Sequence, residues 1–403
     1  MENKNGEFPA GFLWGTAISS YQTEGNNTNS DWWQWEQKGK TKDKSGMACD
    51  YWNRWKSDHE LLSQLGVNAF RLSLEWSRIE PEEGKFSEEA IEHYREILQD
   101  LKRRNIKTIV TLCHWTSPIW FANKYGWHKS KAVGVFLNYT RGCTQKLGNL
   151  IDIYVIFNEP MVPLGEGYLA GNFPPGYRNP WKFWRAVNNI AKAYKESYQL
   201  IHKLKSQASV GISYLYNWYE LDSKSKFVEK IADKISWYFR IGYLARKIKN
   251  YQDYFGLDYY RLGKIKYDPQ NSMHLGFRIK EDEKNVMKWI AYPEGIYKAL
   301  KEAWRKYKLP IYVMENGMPD DIGLEDLQRI DFIKKHLRYV QQAMQEGIDV
   351  RGYNYWSLMD NYEWGTFHFR FGLAEIDYRT LARRPRKSFY AYKEIIKNNG
   401  LIK

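Results

Sequence analysis

Two glutamates stand where a carboxylate needs a reason to be. Glu159 lies in VIFNEP and Glu315 in YVMENG, each directly after an apolar run. A carboxylate at the mouth of a low-dielectric interior is costly to leave unpaired, so such a group is ion-paired or functional. Arg71, on another apolar run, is the partner that a purely structural ion pair would use. The functional alternative is hydrolysis of a glycosidic bond. There one carboxylate attacks the anomeric carbon, while the other protonates the departing oxygen and later deprotonates a water. The two roles require different pKa values, set by surroundings and by coupling within the pair.

The glutamates are far apart in sequence, so only the fold can oppose them. Eight apolar runs read as strands: 12–17, 69–76, 107–115, 151–158, 209–216, 253–260, 309–316 and 350–358. Each is followed by more residues than a hairpin needs, as parallel strands require. Amphipathic helices fill the intervals. Trp52, Trp55, His59, Leu62 and Leu65 recur near the helical period, and so do Val187, Ile190, Tyr194, Tyr198 and Ile201. Ser87 reads as the N-cap of a helix through Ile91, Tyr94, Leu98 and Leu101, and Ile330, Ile333, Leu337, Val340 and Met344 mark another. With no linker in the chain, the pattern predicts an α/β fold, a (β/α)8 TIM barrel in a single domain spanning 1–403. A doubly wound sheet is the rival, but no Gly-rich phosphate turn follows the first strand. A barrel gathers its chemistry at the C-terminal ends of its strands. Those ends read Glu75-Trp76, His114-Trp115, Asn158-Glu159, Tyr259-Tyr260, Glu315-Asn316 and Trp356.

The chain resembles glycoside hydrolase family 1 nearly end to end. The resemblance is carried by FPAGFLWGTAISSYQTEG (8–25), FRLSLEWSRIEPEEG (70–84), TLCHWTSP (111–118), NEP (158–160) and GYLAGNFPPG (167–176). It continues through YPEGIY (292–297), ENG (315–317), NYWSLMDNYEW (354–364) and RFGLAEIDYRT (370–380). It implies a retaining, exo-acting β-glycosidase, foremost a β-glucosidase, with Glu159 as acid/base and Glu315 as nucleophile. The alternatives are a β-galactosidase, β-fucosidase or β-mannosidase, or a non-catalytic carbohydrate-binding relative. By the same resemblance Arg71 and Tyr260 hold the nucleophile ionised and oriented. Gln22, His114 and Glu363 bind hydroxyls of the non-reducing sugar, and Asn158 its 2-hydroxyl. Trp115, Trp356 and Trp364 stack around that sugar, with Trp289 on the leaving-group side and Phe371 as a further site aromatic. Members that cleave 6-phosphoglycosides carry serine at the position of Glu363, so a neutral sugar is expected. The family's Asn-Tyr-Tyr on strand six is Asp258-Tyr259-Tyr260 here. A third carboxylate beside the pair either stays protonated or pushes its neighbours' pKa values upward.

Composition is compatible with that reading. Hydrophobic residues make up 43% and charged residues 27%, enough for a large core. Aromatics reach 17%, with 18 Trp and 31 Tyr, whose flat faces and polar edges suit a carbohydrate. Mean hydropathy is −0.67 and no apolar run approaches membrane-span length, so no membrane association is expected. The start, MENKNGEFPAGFLWGTA, carries no secretory pattern, and Cys49, Cys113 and Cys143 are too few for a disulfide framework, so a cytoplasmic setting is expected. The net charge of +14 raises the prospect of nucleic acid. Basic and acidic residues interleave, however, as in 224–250, and the densest basic cluster, ARRPRK (382–387), reads as solvated surface. The expected partner is a small-molecule or oligosaccharide β-glycoside rather than nucleic acid, with homo-oligomerisation left open. No metal site and no cofactor are signalled.

Overall fold

Eight parallel strands close on themselves in the order β1-β8-β7-β6-β5-β4-β3-β2. They are β1 (Leu13–Ala17), β2 (Ala69–Ser73), β3 (Lys107–Cys113), β4 (Ile153–Asn158), β5 (Ser209–Leu215), β6 (Phe255–Tyr259), β7 (Ile311–Asn316) and β8 (Val350–Trp356). These are the eight runs expected from the sequence, trimmed at their ends. The computed structural model describes residues 7–221, 241–267, 277–280, 289–320 and 323–401. Residues 224–240 of the interleaved basic stretch lie outside them.

Side-chain alternation sorts the strand residues into two cores. Ala69, Ile109, Ile153, Val155 and Met314 point into the barrel, where Tyr254 joins them. Phe70, Leu72, Val110, Leu112, Tyr154 and Ile156 point outward into the layer packed by the helices. Arg71 follows Ala69 on the inward row, so the barrel interior is an apolar floor with a buried cation above it.

One helix begins where the sequence suggests. Ser87 accepts a hydrogen bond from the Ala90 N–H at 3.1 Å to start Glu88–Arg103. Asn179 does the same for Lys182 ahead of Pro180–Leu204, whose first residue is proline. Tyr51–Leu65 and Leu327–Gln345 carry the other two expected apolar stripes. Two small sheets were not legible beforehand: Trp218–Leu221, Leu262–Tyr267 and Phe277–Lys280 together, and the hairpin of Ala374–Asp377 with Ala382–Pro385.

The ARRPRK cluster departs from the expectation of a solvated surface. Arg386 is 1% exposed and bridges Asp360 at 2.8 Å, Arg383 bridges buried Asp58 at 2.7 Å, and Arg384 reaches Glu375 at 2.8 Å. Arg383 and Arg386 tie the C-terminal hairpin to the helix Tyr51–Leu65 and to the segment after β8, while Arg384 pairs across the hairpin itself. Among the described residues no helix is long and apolar enough to cross a membrane.

Candidate active site

Both glutamates reach the C-terminal mouth of the barrel through interruptions in the strand ladder. The β4–β5 register shifts between Val155 and Asn158, and the β6–β7 register shifts between Val313 and Glu315. Such bulges re-aim side chains and recur beside active sites. Glu159 has φ of 40°, and Trp115 and Trp364 have 74° and 42°. Left-handed backbone at non-glycine residues costs about 1–3 kcal/mol each and gathers at functional sites. Gly317, in ENG, permits the crossing behind Glu315, since a Cβ there would lie 2.0 Å from the Trp356 carbonyl oxygen.

Glu315 is buried between two donors. Arg71 Nη1 lies 2.5 Å from its Oε1, and the Tyr260 hydroxyl donates to its Oε2 at 2.5 Å. Arg71 Nη2 also donates to Asn158 Oδ1 at 2.5 Å, which leaves the Asn158 amide nitrogen facing His114 Nε2 at 3.1 Å. Burial, then the charge of Arg71, hold the His114 imidazole well below its ordinary range, so the ring is neutral. Its Nε2 therefore accepts from Asn158, and Nδ1 carries the hydrogen. That Nδ1 is buried and has no partner among the described residues.

Glu159 follows Asn158, and its backbone N–H donates to the Ser213 carbonyl on β5 at 2.9 Å. The Ser213 hydroxyl donates to Asp258 Oδ2. Asp258 pairs with Glu315 in the β6–β7 ladder, and one oxygen from each of Glu159, Asp258 and Glu315 lies within 4.8 Å of the others. Burial pushes Glu159 well up, and the charges of Asp258 and Glu315 push it further. Asp258 is raised as well, by burial and then by Glu315. This triad is close enough to chelate a cation. Both Glu315 oxygens are already engaged by Arg71 and Tyr260, however, which leaves far fewer free oxygens than the six to eight that calcium takes.

The other expected residues form the walls. Gln22 is wholly buried. It accepts from the Ser19 hydroxyl at 2.6 Å and donates to Asn361 Oδ1 and Glu363 Oε2 at 3.0 Å each. Burial, then the charge of Glu315, push the Glu363 carboxyl up to about 8, against hydrogen bonds from Gln22 and Trp356. Trp115 stacks on Trp364 with ring centroids 4.4 Å apart, and the Trp115 indole N–H donates to the Asn158 carbonyl at 3.1 Å. His114 lies nearly parallel to both Trp356 and Trp364. Across the mouth, Tyr260, Trp289 and Phe371 form an aromatic group with centroids 5.6–6.1 Å apart. All thirteen expected residues thus converge on one end of the barrel. Ser213 and Asn361 join them unannounced: each lies inside or beside a strand motif that reads as structural, and only spatial proximity reveals it.

Comparison with known proteins points the same way. Glycosyl hydrolase family 1 is the family whose model matches the chain, over residues 4–248 and 243–401. The chain is 31% identical to "Beta-glucosidase A" of Thermotoga maritima over 98% of its own length and 99% of that protein's. It is 32% identical to a "Beta-galactosidase" of Sulfolobus acidocaldarius, over 98% and 96% of the two lengths. The solved "beta-glycosidase from Pyrococcus horikoshii" superposes with a TM-score of 0.92 at 39% identity, over 98% of this chain and 96% of that one.

Proposed function

We infer the activity from one premise: the chain belongs to glycosyl hydrolase family 1. It is a retaining β-glycosidase, and the reading that fits best is a β-glucosidase removing terminal non-reducing glucosyl residues. In our assignment Glu315 attacks the anomeric carbon while Glu159 protonates the departing oxygen. Water activated by Glu159 then releases the sugar from Glu315 with net retention.

One observation carries the assignment. Oxygens of Glu159 and Glu315 lie within 4.8 Å of each other. That matches the short separation, roughly 5–5.5 Å between carboxyl groups, of a double-displacement pair rather than the wider gap that admits a water in inversion. The surroundings support the roles. Arg71 and the Tyr260 hydroxyl favour an ionised Glu315, and the raised Glu159 keeps its proton for the leaving group. The unpartnered His114 Nδ1–H, with Gln22 and Glu363, suits sugar hydroxyls, and Trp115, Trp356 and Trp364 offer faces for its C–H surface. Trp289 and Phe371 suit the aglycone side. A phosphate on the sugar would add charge to an already acidic pocket, which favours a neutral substrate.

We read residues 1–403 as one domain. The Phe8 N–H to Asn399 carbonyl bond of 2.8 Å, which joins the two ends of the described chain, supports this. Three buried, unpaired cysteines support a cytoplasmic setting.

The test is Glu315→Ala, which is expected to abolish turnover of an aryl β-glucoside. Near-wild-type rates in that variant would overturn the assignment. Initial rates on aryl β-glycosides differing at C4 and C2, with a 6-phosphoglucoside included, decide between glucose and the galactose preference of the Sulfolobus relative's name.

A further inference from the structure

Glu159 Oε1 and Asp258 Oδ1 are both buried, and neither receives a donor from any other described group. Two ionised carboxylates facing each other would leave both oxygens as acceptors without a hydrogen, the most expensive arrangement a low-dielectric site can hold. One proton placed between them satisfies both atoms at once. The groups packed against Asp258 agree with a single proton. Glu315 on β7 brings a negative charge, Arg71 on β2 a positive one, and the Tyr254 and Tyr260 phenols are held neutral by burial. The Ser213 hydroxyl on β5 donates to the other oxygen of Asp258, which favours the anionic form of Asp258 and leaves the hydrogen on Glu159.

We propose that Asp258, seated on Ser213, holds one proton jointly with Glu159 and so keeps the acid/base group supplied with it. The inference rests on the role of Glu159 given above. Asp258 is a positioning residue, wholly buried, and acts through Glu159. In the first step the shared proton passes from Glu159 to the glycosidic oxygen as that C–O bond breaks and the bond from the anomeric carbon to Glu315 forms. In the second step a water gives its proton back to Glu159 while its oxygen displaces Glu315. Asp258 is neither consumed nor oxidised, and it accepts from Glu159 again once the water has returned the proton.

The experiment is the pH profile of kcat/KM on an aryl β-glucoside for wild type, Asp258→Asn and Ser213→Ala. The alkaline limb reports loss of the proton from the acid. Replacing Asp258 with a neutral amide removes a neighbouring negative charge and an acceptor, so that limb moves down by about 1–3 units. Removing the Ser213 donor makes Asp258 the stronger base, so the pair holds its proton more tightly and the limb moves up by about one unit. A merely structural role for either residue would lower rates without moving the limb in opposite directions. Limbs coincident with wild type in both variants, or moving in the same direction, overturn the inference. Failure of the broader assignment shows separately, as turnover surviving in Glu315→Ala.

Discussion

Replacing Arg71 with methionine is the most revealing perturbation of the site. Arg71 is 1% exposed and Glu315 5%, so their ion pair obeys the energetics of a buried pair rather than a surface one. Its guanidinium also holds Asn158 and faces Asp258. Methionine keeps much of the stem but leaves the carboxylate cluster without that cation. Breaking a buried pair by deleting one partner costs about 3–5 kcal/mol. For a 403-residue chain, with unfolding entropy near 2.1 cal/mol/K per residue, this lowers the melting temperature by about 4–6 °C. The same change removes a charge-assisted hydrogen bond from the nucleophile, worth about 3 kcal/mol, and so about a hundredfold in kcat/KM. Thermal scans at one fixed rate and aryl-glucoside kinetics measure the two effects. The decisive arm is Arg71→Met with Asp258→Asn, because removing one acid relieves the repulsion exposed by loss of the cation. The double variant should therefore melt above Arg71→Met alone, a coupling that distant sites do not show. Melting within a degree of wild type for Arg71→Met, or no recovery in the double variant, would refute the charge balance drawn above.

Two further outcomes follow from the geometry. Glu159→Ala should release a dinitrophenol-like leaving group at near-wild-type rate in the first step and slow the second, so that stopped-flow traces show a burst. Alkyl glucosides, which need the proton, should lose about 10²–10⁴-fold. Burial places the Glu363 carboxyl near 8, so below that pH it is mostly a neutral acid that can donate to a sugar hydroxyl. At pH 6, Glu363→Gln, which keeps a donor and an acceptor, should lose no more than about tenfold in kcat/KM, while Glu363→Ala should lose about a hundredfold or more. Equal losses in the two variants would show that the ionised form does the binding.

The barrel is legible because its strands are buried on both faces and read as continuous apolar runs with polar residues at one end. The helices announce themselves through apolar spacing and, in one case, through a cap, Ser87. The small sheets do not, since four- to six-residue strands such as Trp218–Leu221 and Leu262–Tyr267 carry too little periodicity to separate from loops. Gln22 on its own has the composition of a surface residue. It is buried because Ser19, Asn361 and Glu363, the last two from the far end of the chain, satisfy its amide. The ARRPRK cluster misleads for the same reason: its partners Asp58 and Asp360 are distant in sequence, and local charge density says nothing about whether such partners arrive. Asp258 stands out by type, but its consequence depends on Ser213, which lies in an apolar strand and shows no chemistry until β5 sits between β4 and β6.

Strict alternation would have aimed Asn158 and the nucleophile Glu315 wrongly. On β4, Ile153 and Val155 face the barrel interior, so a period of two would turn Phe157 inward and Asn158 out toward the helices. Instead Phe157 stacks on Phe136 of the helix Lys131–Leu147, and Asn158 turns in to Arg71. On β7, Tyr312 and Met314 face inward, which would send Glu315 out and Asn316 in. Instead Asn316 bonds the outward-facing Tyr353, and Glu315 meets Arg71. Both inversions occur where the ladder register shifts. The bulges are therefore a condition of the chemistry, since a regular ladder with this same sequence would turn the Asn158 amide and the Glu315 carboxylate toward apolar helices. The fold tolerates the irregularity because the residues it displaces find partners of their own: Phe157 an aromatic layer, and Asn316 the Tyr259 carbonyl and the Tyr353 hydroxyl.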